Sequence, residues 1–236
     1  MVTIEGLIEY TDIQLEQTAH DYLQSRKDVQ FKIPVNVEDL LQHAEGVGDV
    51  DTVEGISKYT GTEGAVCRYG GGNELIIYFD AETADGPTPA FYAVVGEELA
   101  HVILHKAIFI QVKSFPEFLE VQNSPQWNRM ERDARRLSAA IRMPYKNLVL
   151  NAESLYPDIV DEHGFSDVWE IQKLLRNALS EKFFVPPEDM HKRLMQWPCL
   201  VYQRANVSIQ AKKNRLVNED ATLRVYRPTT QRKMFD

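Results

Sequence analysis

The chain has 236 residues, 44% of them hydrophobic, with 26 basic and 35 acidic side chains and a formal net charge of −9. That balance allows a sizeable core and excludes a nucleic-acid surface spread over the whole chain, because phosphate backbones demand clustered Lys and Arg. No apolar run approaches the ~20 residues of a membrane helix, no signal-like segment opens the sequence, and Cys67 and Cys199 stand far apart, so the expectation is a cytoplasmic protein with reduced thiols and no membrane contact.

In chain order, TDIQLEQTAHDYLQSR offers Thr11 or Asp12 as a cap and spaces Leu15, Ala19, Tyr22 and Leu23 as an amphipathic helix. VNVEDLLQHAEG predicts a second, shorter helix stopped by Gly46. His20 and His43 ride on these helices without a partner motif and read as surface or capping side chains. Between about residues 47 and 80 the pattern turns to strands, and GAVCRY, GGGN and ELIIYFDA read as a hairpin. The triple glycine is not followed by a helix carrying Lys-Ser/Thr, so a turn is preferred to a phosphate loop.

After a loop with Gly86, Pro87 and Pro89, residues 90–110 form a nearly apolar segment interrupted by Glu97, Glu98, His101, His105 and Lys106. At about 100° per residue, Glu97, Glu98, His101 and His105 share one arc of a helix, while Val95, Leu99, Val102 and Ile103 share the opposite face. Ionised groups on a helix this apolar need a metal, counter-charges or a water-filled cleft. The spacing is that of the metallopeptidase motif H-E-x-x-H with Glu97 in place of its first histidine. ERDARRLSAAIRMP then keeps helical spacing at Glu131, Ala134, Leu137 or Ser138, and Ile141 up to Pro144, so Glu131 can arrive on a second helix facing His101.

VVGEELAHVILH and ERDARRLSAAIRMP together resemble the two signature blocks of the ImmA/IrrE family of metallopeptidase-like proteins, the first at Glu98, Leu99, His101, Leu104 and His105, the second at Glu131, Ala134, Ala139, Met143 and Pro144. Weaker similarity in IPVNVEDLLQHAEG and LSEKFFVPPEDMHKRLMQWPCLV extends it over roughly residues 10 to 200. The resemblance implies an α/β (α+β) fold with a zincin-like core, a small β-sheet packed on the active-site helix, and a mainly helical C-terminal part. It divides the chain into a core at 1–150, a helical subdomain at 151–203 packed on it, and a basic tail at 204–236, where eight basic residues face three acidic ones.

By the same resemblance Glu97, His101 and Glu131 are the metal ligands and Glu98 is the general base. A divalent metal is expected, zinc first and manganese as the harder-ion alternative, with a metal-free site as the remaining option. The two anionic ligands would make such an ion a weaker Lewis acid. The implied function is a peptidase of narrow specificity acting on a protein or peptide partner such as a helix-turn-helix transcriptional repressor. The alternative is a catalytically inactive pseudo-peptidase that binds and regulates a partner. A substrate strand could add along an edge of the small sheet, for example beside ELIIYFD. Nucleic acid enters only through the basic tail. His105 is expected to be either a hydrogen-bond partner of the site or packing.

Overall fold

A computed structural model describes residues 7–26, 32–69, 72–163 and 167–208, together with 210, 211 and 214. Within them the chain is a helix-rich α/β arrangement around a three-stranded sheet. Helix α1 (Asp12–Ser25) begins at a capping box, in which Thr11 accepts from the Gln14 N–H and the Gln14 side chain accepts from the Thr11 N–H. It buries Leu15, Ala19 and Leu23, three of the four residues whose spacing predicts it. Helix α2 (Val37–Gln42) starts at Asn36 and ends at His43, before the glycine expected to stop it. Gly46, at φ +90°, instead turns the chain into β1 (Val47–Val53), and its carbonyl accepts from the Leu75 N–H.

The predicted hairpin is present. Strands β2 (Gly64–Tyr69) and β3 (Glu74–Asp80) pair antiparallel, with Gly64 opposite Phe79 and Tyr69 opposite Glu74. Gly70 and Gly71 of its turn lie outside the described residues. β1 pairs parallel to β3 on the other side, so the sheet order is β1-β3-β2, and the short α3 (Ile56–Thr60) lies in the connection. The central strand is accordingly apolar, burying Leu75, Ile76, Ile77 and Phe79. This corrects one expectation: both sides of ELIIYFD are already paired, so no substrate strand can add beside it.

Helix α4 (Pro89–Phe109) has Thr88 as its cap, accepting from the Phe91 N–H, and Pro89 at its first position. It packs on α2, on β2 and on α6 (Trp127–Arg142). Gly96 permits the close approach to α6, since a Cβ there would lie 2.6 Å from Ser138 Oγ and 3.2 Å from Arg142 Cδ. Between these helices α5 (Phe115–Gln122), which the periodicity reading does not single out, buries Phe118 and Val121. Then follow α7 (Tyr145–His163), α8 (Val168–Phe183), α9 (Pro187–Met195) and a helical stretch at 201–208.

The apolar core falls into two main clusters. One joins α1, α2, the sheet, α4 and α6, and the other gathers Met143, Leu148, Leu175, Leu179, Phe183, Met190 and Leu194. Arg193, almost fully buried, reaches from the second to pair with Glu16 of α1 and to donate to the Met143 carbonyl. Among the described residues no helix is long and apolar enough to cross a membrane. Most of the basic tail expected at 204–236 lies outside the described residues.

Candidate functional site

The two helices that carry the predicted motifs run in opposite senses, so α4 and α6 present their polar residues to each other in reverse order. His101 Nε2 lies 3.1 Å from Glu131 Oε1, and both side chains are almost inaccessible. One turn earlier on α4 and one turn later on α6, Glu97 meets Arg135, whose Nε is 3.5 Å from Glu97 Oε2. The same guanidinium donates from NH2 to Glu131 Oε2 at 2.9 Å. Arg135 therefore bridges two carboxylates that the sequence reading assigned to a metal.

The rest of the polar arc is inside the protein. Glu98 is 8% exposed and faces Gly64 of β2, where a Cβ would stand only 2.7 Å from its carboxyl carbon. Burial raises the Glu98 pKa to about 8, the Glu131 and Glu97 carboxylates push the same way, and only His101 opposes them. Burial also raises Glu97, against the pull of Arg135. For Glu131 burial acts upward, but the His101 hydrogen bond, the His101 charge and Arg135 outweigh it and hold the group below the usual range. Burial likewise opposes a charge on His101, and the Glu131 bond with the nearby carboxylates overcomes it, so its pKa is raised.

His105 is a hydrogen-bond partner, which decides between its two expected roles. Its Nδ1 lies 3.0 Å from His101 Nδ1, and burial followed by the His101 charge lowers its pKa to about 3. A neutral His105 can accept from a protonated His101. Its Nε2 is buried without a hydrogen-bond partner among the described residues. Trp127 stacks on the His101 ring at 5.9 Å with planes 10° apart, and Phe109 meets it edge-on at 5.5 Å. The imidazole is thus locked by packing and two polar contacts.

Glu97, Glu98, His101, Trp127, Glu131 and Arg135 line a cavity of about 270 Å³ whose walls also include Thr62, Gly64, Val66 and Phe118. It adjoins a wider groove of about 700 Å³ that shares Gly61, Thr62, Trp127, Glu131 and Arg135 and continues past Gln122, Asn128, Arg132 and Gln196. β2, the sheet edge on this side, holds one wall of the cavity.

A catalytic divalent ion needs three protein ligands converging around an open position. Here His101 and Glu131 converge, but on each other, while the second oxygen of Glu131 and the carboxylate of Glu97 are both engaged by a guanidinium. Among the described residues no group of three or more His, Cys, Asp or Glu is gathered to hold a metal. Glu97, His101 and Glu131 as arranged do not fit a metal centre, because they do not converge on one open position and the Arg135 guanidinium contacts two of them.

Sequence reasoning missed Arg135, Gly64 and Trp127. Arg135 follows Glu131 by one helical turn, so its place on the Glu131 face was available from spacing alone. Gly64 carried no pattern, and Trp127 precedes the motif. No protein-family model matches the chain, and no curated protein matches it.

Proposed function

We propose that the chain is a pseudo-peptidase: a zincin-like scaffold whose cleft binds and regulates a protein partner without metal-dependent hydrolysis. The observation that carries this reading is Arg135, whose guanidinium pairs with Glu97 and Glu131 beside the His101–Glu131 hydrogen bond. One guanidinium contacts both anionic groups and offsets one of their two charges, so the demand for a further cation is reduced. The three-stranded sheet beside α4, and the meeting of His101 with Glu131 from α4 and α6, support the zincin-like architecture. The groove leading from the cavity is wider than one side chain needs, which supports a peptide segment of a partner as the occupant.

Glu98 fits the same reading. With its pKa pushed up to about 8 by burial, the Glu98 carboxyl is mostly protonated at neutral pH, which leaves less of it ionised for the role of base that the motif assigns to it. Its location at the head of the cavity, against β2, makes it a neutral hydrogen-bond donor for whatever enters. A metal-dependent peptidase acting on a repressor is the second reading, favoured by the retention of Glu98, His101 and Glu131 in motif order.

The test is elemental analysis of protein purified without added metal, with His101→Ala beside it, and a capture and cleavage assay on a co-expressed candidate repressor. The proposed reading expects no stoichiometric metal, and capture that chelator leaves unchanged. A metal bound one to one and lost in His101→Ala, together with chelator-sensitive cleavage, overturns it in favour of the peptidase.

A further inference from the structure

The disagreement between the motif and the geometry points to a specific role for one residue. We propose that Arg135 is the resident cation of this site, that it occupies the place a divalent ion would take between Glu97 and Glu131, and that it alone keeps such an ion out. This rests on the pseudo-peptidase reading and extends it from the observation that no metal centre fits to the residue responsible.

Three features carry the inference. The first is the charge arrangement: Glu97 and Glu131 come from different helices and meet one guanidinium, at 3.5 Å through Nε and 2.9 Å through NH2. Next comes the ligand set left behind if that guanidinium is removed. Glu131 Oε1 already sits 3.1 Å from His101 Nε2, and the cavity beside them admits water-sized groups, so two carboxylates and one imidazole would face a space open on one side. Such a mixed set suits zinc or manganese. Finally, the arginine is dispensable to the core. Its side chain is 62% exposed while that of Glu131 is 12% exposed, so replacing it changes the charge of the site without emptying a packed position.

The neighbouring basic residues do not duplicate it. Arg132 is paired with Asp133 and Arg136 with Asp12, each engaged by a carboxylate outside the Glu97–Glu131 pair. Arg142, near enough to bias Glu97, is committed to Asp189 and Ser138. Loss of Arg135 would therefore leave Glu97 and Glu131 as close like charges in a partly desolvated site, an arrangement that a divalent cation relieves.

The experiment compares wild type, Arg135→Asn, Arg135→Lys and the double variant Arg135→Asn/His101→Ala, all stripped with chelator. Zinc and manganese chloride are titrated separately, with bound metal measured by equilibrium dialysis and thermal stability measured in parallel. Arg135→Asn should bind about one equivalent at least a hundredfold more tightly than wild type. Its transition temperature should rise with added metal, as linkage requires. Arg135→Lys, which keeps the charge, should behave like wild type, and the double variant should lose the gained site.

Failure of Arg135→Asn to bind either metal while remaining folded overturns the inference and leaves the pseudo-peptidase reading standing. Equal binding by Arg135→Lys and Arg135→Asn also overturns it, because the charge would then not be what excludes the ion. Tight stoichiometric binding by wild type overturns both. Retention of the gained site in the double variant overturns the assignment of that site to His101.

Discussion

Replacing Glu98 by Gln gives the most quantitative check on the site, because it keeps the size of the side chain and removes its titration. In the folded protein the Glu98 carboxyl lies against Gly64 with 8% exposure and a pKa of about 8, against an ordinary value of 4.5. An acid whose pKa is raised on folding holds a proton in the native state that the unfolded chain releases. Its effect on stability is therefore absent below about pH 4.5, grows more unfavourable as pH rises to about 8, and is constant above that. At about 1.4 kcal/mol per pH unit, the cost approaches about 3 kcal/mol at pH 7 and about 5 kcal/mol above pH 8, both as upper bounds. The amide of the Glu98→Gln variant carries no such cost. Urea unfolding of both proteins at pH 5, 7 and 8.5 should show a stability difference that widens with pH in favour of the variant, equivalent at pH 7 to roughly 6–12 °C in Tm for a chain of this size. Titrating groups remote from Glu98 cancel in the difference, a constant offset from the amide drops out of its pH dependence, and His101, whose pKa Glu98 helps to raise, is a coupled group that does not cancel. Parallel pH–stability curves would refute the conclusion that Glu98 is a buried neutral acid. Partner capture should survive the change, whereas a working peptidase would lose turnover by roughly a hundredfold or more.

Other perturbations test the surrounding contacts. Gly64→Ala places a methyl group 2.7 Å from the Glu98 carboxyl carbon, so it should destabilise the protein by about 1–3 kcal/mol in urea unfolding, and the penalty should shrink in a Glu98→Ala background. A penalty unchanged by that background would place the clash elsewhere. Glu16→Ala leaves the 4% exposed Arg193 with only the Met143 carbonyl, and a loss of about 3 kcal/mol is expected in the same assay. A cost below about 0.5 kcal/mol, the level of a surface pair, would show that the pair does not join the two core clusters. Glu97→His alone should leave zinc affinity at the wild-type level, since Arg135 still engages Glu131, and should raise it only when combined with Arg135→Asn. A gain from Glu97→His alone, read by dialysis, would show that the missing histidine was the whole defect.

What the sequence made legible follows from how far each signal reaches along the chain. Thr11 and Gln14 announce α1 because a capping box is contained within four residues, and the β2–β3 hairpin is legible because its strands are adjacent in sequence. The parallel pairing of β1 with β3 is not, since VGDVDTV is mostly exposed and its partner lies beyond α3 and β2. At the site, helical spacing is enough to place Glu97, Glu98 and His101 together, and the second motif brings Glu131 to them. Spacing cannot say which charge settles between the carboxylates. That is decided by Arg135, which on its own helix is an exposed side chain of the kind that usually means only solvation, and which becomes a bridge only because α6 crosses α4 closely at Gly96. The approach of the helices depends on a glycine with no local signature, and the Glu97–Arg135 pairing depends on that approach. A motif written as ligand positions therefore records the donors and leaves out the cation, and here the cation that meets them is part of the chain.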